Sequence, residues 1–416
     1  MEYVMNDVIS ILAGFTLLAA LLAFKKPIWL TLLTSSLIMG LIGLGLHGVL
    51  RVIASTITDS VTIDLITITF LIATLIGVYR TSGFLNRLGD ELVKLIKRPK
   101  LIVTLVPAVL GLLSVAGGAL MSAPIVDVIG EHMGLSKRLR LFINVWFRHV
   151  IFLVYPLSTV LITTAALAGV SMWELITREL PVFLAMVLAG YVVSFHGVEG
   201  GKYLISGEPN KHVLLKAFSP IALAIIVATS LRDIIDGCLH PLIPLTRYSM
   251  ILGLVLAIAL LTAISNVGLN GLARSMASRT TLELVVAAFA ALLLRNVFVG
   301  VGGPKLISKF VVGNNGISPI LMLTIPALIS LATGSPLTGN VVSLSIFQPL
   351  GIDVREAALI YTSALLGHIV SPAHLCYIYT AQYLNIPMSS TYKEMGIATI
   401  ITLAVATTIY LITSPT

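Results

Sequence analysis

The chain has 416 residues, 57% hydrophobic and only 11% charged, and its mean hydropathy of +1.03 excludes a soluble globular domain, where about a quarter of the residues are charged. The net charge of +8 does not imply nucleic acid, because the basic residues sit in short loops between apolar runs and act there as topology signals. Cys238 and Cys376 lie far apart, each with a histidine two residues away, His240 and His374; that spacing argues for neither a disulfide nor a metal motif.

Apolar runs long enough to cross a bilayer recur along the whole length. The first, Met5 to Phe24, follows an N-terminus with Glu2 and Asp7 and no basic n-region, and more spans come at once, so it reads as a span and not as a cleaved signal. Ile28 to His47, Thr62 to Tyr79, a broken stretch Leu101 to Ile129, Leu141 to Ala168 and Leu180 to Phe195 complete a first repeat over residues 1–196. A polar connecting loop at 197–213 is predicted to be cytoplasmic. Over 214–416 the series returns as Leu215 to Ile235, Arg247 to Ser265, Leu282 to Phe298, a broken stretch Ile317 to Leu350, Ala357 to Tyr383 and Gly396 to Ile412.

A shift of 216 to 219 residues sets Thr62-Ile63-Asp64-Leu65 on Thr281-Leu282-Glu283-Leu284 and Pro156 on Pro372. Order and offset together point to a duplication. With re-entrant hairpins at about 101–130 and 317–350, each half crosses the membrane an odd number of times and the second half is inverted. The predicted fold is an all-α polytopic membrane protein of two inverted-topology repeats. Each repeat has five spanning helices, with one re-entrant hairpin and one broken helix (about 141–168 and 357–383). With the N-terminus outside, 17 of the 26 Lys and Arg fall in cytoplasmic loops, 7 outside, and Arg148 and Arg295 within spans. That bias predicts a multi-pass protein of the cell membrane with both termini outside.

The chemistry is expected at the breaks, since non-helical backbone at membrane depth survives only against protein or a water-filled cavity. The first hairpin tip carries Gly117 and Ser122, and the second carries Thr333, Gly334, Ser335, Thr338 and Asn340. After each hairpin comes a proline inside a span, Pro156 beside Tyr155 and Pro372 beside Val370 and Ser371. A proline there frees carbonyls that can ligate a cation, while the following half-helix presents amides to an anion. Two readings stand side by side: prolines kink many transmembrane helices, and small-residue clusters also serve close packing. Repetition at matched positions favours function.

Ionisable residues within spans default to functional candidates. Arg148 is a candidate to hold a substrate carboxylate, or else it snorkels to the interface. His149, His368, His374 and Asp127 are candidates for a proton relay; His374 is also a candidate for substrate contact, with simple satisfaction by a free carbonyl as its other reading. Hydroxyls, amides and cationic groups with hardly a carboxylate suit an anionic substrate. The coupling ion is then Na+ on carbonyl and hydroxyl oxygens, or H+ through a histidine.

The strings Trp146-Phe147-Arg148-His149 and Gly367-His368-Ile369-Val370-Ser371-Pro372-Ala373-His374-Leu375-Cys376 resemble a branch of integral membrane proteins in the ion transporter superfamily, which includes gluconate permeases, citrate permeases and divalent anion:sodium symporters. The resemblance implies a homodimer working by an elevator movement, the hairpins and broken helices forming the mobile part. Symporters of that superfamily carry Ser-Asn-Thr triplets at their hairpin tips; Ser122-Ala123-Pro124 and Leu337-Thr338-Gly339-Asn340 stand here instead. The expected function is secondary transport of a small organic anion such as a carboxylate or sugar acid, with the lipid bilayer as partner and no organic cofactor. An uncoupled facilitator or ion channel is the alternative. A membrane-embedded enzyme is disfavoured by the lack of an HExxH motif or a nucleophile beside a convincing base.

Overall fold

The computed structural model describes residues 2–24, 26–112, 118–198, 207–239, 247–303, 305–306, 312–313 and 316–413. In chain order the first half contains α1 (Glu2–Ala23), α2 (Ile28–Thr58), α3 (Ser60–Ser82), α4 (Phe84–Ile96), α5 (Pro99–Gly111), α6 (Ala123–His132), α7 (Lys137–Val150), α8 (Thr159–Ala168) and α9 (Met172–Phe195). The second contains α10 (Lys211–Ser230), α11 (Arg232–Leu239), α12 (Tyr248–Ile264), α13 (Gly268–Met276), α14 (Arg279–Gly300), α15 (Pro319–Thr333), α16 (Pro336–Phe347), α17 (Val354–Ile369), α18 (Leu375–Leu384) and α19 (Tyr392–Ile412). Among the described residues the only strands are Val312–Gly313 and Gly316–Ile317, a two-residue antiparallel pair.

This is an all-helical, multi-pass membrane protein. Among the described residues, six helical stretches, including α2, α3, α9 and α10, are long and apolar enough to cross a bilayer, and outward faces carry Leu184, Leu188, Ile226, Leu328 and Ile400 without polar cover. In water such faces would aggregate; in lipid they are solvated. The stretch α2 continues past the expected end at His47 as two helices that meet at a kink, where Gly45 takes a non-helical conformation at φ 67° and ψ 176°.

Several helix starts are set by side chains that accept the otherwise unpaired first amides. Asp59 accepts from the Thr62 amide at 3.0 Å, and Ser278, 219 residues on, accepts from Thr281 at 3.2 Å. Ser136 opens α7 in the same way, and Asp353 with Glu356 forms a capping box on α17, whose first residue is 217 positions after that of α7. Asp64 lies one turn inside α3 and is buried.

Contacts fall into two groups. One joins α1, α2, α3, α10, α12, α13 and α14, with α2 against α14 and α3 against α12; the other joins α5 to α9 with α15 to α19. They meet chiefly where α14 packs on α16 and α3 on α8. The second group holds both hairpins, α5 with α6 and α15 with α16, and both interrupted helices, α7/α8 and α17/α18.

Candidate functional site

Helices α7 and α17 are buried over nearly their whole circumference, from Arg140 to Val150 and from Ala357 to Ile369, which places them in the core of the bundle. Each stops without a glycine cap and gives way to a short non-helical passage. The first runs through Val154, Tyr155, Pro156 and Leu157 to Ser158, whose hydroxyl caps α8 by accepting from the Leu161 amide at 3.4 Å. The second runs through Val370, Ser371, Pro372 and Ala373 to His374, the residue before α18.

Not every carbonyl in these passages is available to a cation. Tyr155 O accepts from the Ser158 amide at 3.0 Å and Ser371 O from the His374 amide at 3.2 Å. Phe152 O takes the Tyr361 hydroxyl of the other half at 2.5 Å. Val370 closes the last turn of α17 onto Leu366 O.

The last turns of α7 and α17 bring two histidines together. His149 and His368 are 219 positions apart, the same offset as the caps of α3 and α14, and their rings stand 5.3 Å apart. The ring of His374 lies 4.6 Å from that of His149 and 3.9 Å from that of His368. Nδ1 of His368 faces Gly334 O at 2.9 Å, joining the second hairpin tip to the cluster. Gly334 itself has φ 64°, and a Cβ there would stand 2.5 Å from Ala373 O. Only glycine allows the tip to rest on the second passage. Ser371 adds a hydroxyl bond to Leu331 O at 2.5 Å.

The sulfur of Cys376 and a ring nitrogen each of His149 and His374 lie within 4.8 Å of one another, and Arg148 stands beside the sulfur. Arg148 is 1% exposed, so it is a core residue and does not snorkel to the interface. Spacing along the chain gave no reason to join these groups, because the cluster is assembled from α7 of one half and α18 of the other.

At the first tip, Gly117 lies outside the described residues. Ser122 is buried and donates to Asn144 Oδ1 at 2.7 Å; Asn144 Nδ2 donates to Ala119 O and to Thr380 Oγ1, both at 3.0 Å. Asn144 and Thr380 were missed in the sequence, where a lone amide in an apolar span was the available signal. The second tip is held internally. Ser335 caps α16 on the Thr338 amide at 3.2 Å, Thr333 bonds back to Ile329 O at 2.8 Å, and Asn340 Nδ2 donates to Pro336 O at 3.0 Å. Three buried oxygens on this hairpin, Ser330 Oγ, Asn340 Oδ1 and Ser343 Oγ, have no hydrogen-bond partner. Buried polar atoms are rarely left so, and such a set invites a ligand.

Asp127 stands apart from this cluster. It pairs with Arg140 at 2.5 Å, between α6 and the start of α7. A buried carboxylate that the sequence reading passed over, Glu179 on α9, accepts from Thr362 Oγ1 at 2.7 Å.

A family model described as "Protein of unknown function (DUF401)" matches residues 8–413. No curated protein matches the sequence. Among solved structures, the chain is similar to the YdaH transporter of Alcanivorax borkumensis, described as having an unusual topology. The two share 14% sequence identity and superpose with a TM-score of 0.60 over 88% of each chain. At that identity the likeness is one of fold.

Proposed function

The chain belongs to the DUF401 family, and from that premise and the geometry we propose that it is a secondary active transporter of a small organic anion. One observation carries the reading. Two helix interruptions, one per half, bring equivalent histidines, His149 and His368, to a common centre beside a hairpin tip. Interrupted helices at mid-membrane cost backbone hydrogen bonds, and transporters use them to expose amides and carbonyls to solute and ion. The fold shared with a protein described as a transporter supports the same class.

The solute is an anion, a carboxylate or sugar acid. Arg148, His149, His368 and His374 supply donors, and Ser122, Thr333, Ser335, Thr338 and Ser371 supply hydroxyls, with no carboxylate among them. The coupling ion is Na+ or H+. For Na+, the unpartnered Ser330, Asn340 and Ser343 oxygens on the second hairpin are an apt ligand set. The contact pattern suits inverted repeats and an elevator movement in a homodimer: one helix group as a scaffold, the other, containing both hairpins, as the moving body.

The test is uptake of labelled carboxylates, sugar acids and amino acids into proteoliposomes under imposed Na+ or pH gradients. Gradient-driven accumulation of one anion class is expected. If no gradient drives any anion through folded protein, the reading fails; flux indifferent to gradients replaces it with an uncoupled facilitator.

A further inference from the structure

We propose that His149, His374 and Cys376 form a binding site for a borderline-to-soft transition-metal ion of the zinc or copper(I) type, with His368 adjacent as a fourth donor. The ligand atoms of His149, His374 and Cys376 lie within 4.8 Å of one another, and all three side chains are buried. Two imidazole nitrogens and a thiolate are the donor set that zinc and copper prefer over magnesium or calcium.

The orientation of the rings adds a second, independent argument. In metal sites the imidazole nitrogen that does not bind metal donates to a carbonyl or carboxylate, which fixes the ring. Here Nδ1 of His149 faces Val145 O at 2.7 Å, and Nδ1 of His368 faces Gly334 O at 2.9 Å. Both rings thereby keep Nε2 for a ligand. The remaining histidine has its Nδ1 towards Ile369 O at 3.4 Å, and its Nε2 is buried without a hydrogen-bond partner. An orphaned imidazole nitrogen in a dry core is costly. A metal ion would satisfy it together with the thiol.

Charge decides what else the site needs. A thiolate offsets one positive charge, and Arg148 beside the sulfur adds one. A divalent ion therefore leaves the cluster with two positive charges, which in a membrane core favours an anion in the open position, whereas copper(I) leaves one. The ion would tie the last turn of α7 to the first turn of α18, one from each half. Binding does not depend on the transport reading: a chain that moves anions but holds no metal overturns this inference alone.

The test uses the full chain, purified in detergent, reduced and stripped by chelator. Zinc is titrated against a competing chromophoric chelator, copper(I) against a copper(I) chelator, and cobalt(II) by absorption. One zinc or copper(I) per chain is expected, and cobalt(II) should give the intense d–d bands of a tetrahedral site with a thiolate-to-cobalt charge-transfer band. Cys376→Ser, which keeps the shape of the side chain, should lose the charge-transfer band and at least tenfold in affinity, and His149→Ala and His374→Ala should also lose at least tenfold. Cys238→Ser, at an exposed position in α11, should change nothing. The proposal stands if either ion is held at one per chain through Cys376. It falls if a folded, monodisperse chain binds neither, or if Cys376→Ser leaves affinity and spectrum as they were.

Discussion

The two helix interruptions occupy equivalent places and differ in what fills them. The first, Val154 to Ser158, is lined by Tyr155 and Leu157 and ends in a serine that caps α8. The second, Val370 to His374, has a hydroxyl, a glycine tip resting on it and a histidine where the first has Ser158. Pro156 and Pro372 stand at the same place in both. Two interruptions of similar form can thus carry different side chains, because the interruption depends on proline and helix ends, and ligand contacts depend on a few side chains.

Substitutions can break or sharpen this contrast. His374→Ala should have the largest effect, reducing anion uptake on the order of 100-fold, the scale of losing one buried interaction hot spot, with the folded yield intact by size-exclusion chromatography. Uptake at the wild-type rate would remove the second interruption from the transport site. Asn144→Ala should come next. It removes three buried hydrogen bonds at once, to Ser122, Ala119 O and Thr380, and should cost about 2 kcal/mol of stability, read as a lower melting temperature in detergent.

Gly334→Ala separates the site from ordinary glycine strain. The left-handed conformation alone costs an alanine about 1–2 kcal/mol, and the contact with Ala373 O adds to it. Gly83→Ala, also left-handed at φ 68° and with open space around it, should show the conformational cost only, so equal melting temperatures for the two variants would refute the close approach. The smallest change is expected for Ser158→Ala, the counterpart of His374. Loss of a helix cap should cost about 1 kcal/mol and leave uptake within about a factor of two.

The helical, membrane-spanning character was legible in the sequence because bilayer length imposes apolar runs, and the interruptions were legible because glycine and proline announce them. His149, His368 and His374 stood out as ionisable residues in apolar surroundings. Their meeting did not, since no local period relates α7 to α18. Cys376 was dismissed because one cysteine and a histidine two residues away are too sparse a set for a metal motif, and His149, from the other half, completes the cluster. Asn144 illustrates a further limit: its role depends on Thr380 and Ser122 approaching from two other segments, and a single amide in a run of apolar residues carries no address.

The reciprocal pairing of the halves bears on how the protein is made. Helix α2 packs on α14, where Asn296 Nδ2 donates to Thr56 Oγ1 at 3.0 Å, and the Tyr79 hydroxyl of α3 donates to Ala217 O of α10 at 2.8 Å. During synthesis the first half therefore enters the bilayer before the groups that complete it have been translated. Assembly of the core waits for the second half, and a ribosome stalled between them would leave an inserted chain whose polar contacts have nowhere to go, a natural substrate for membrane quality control.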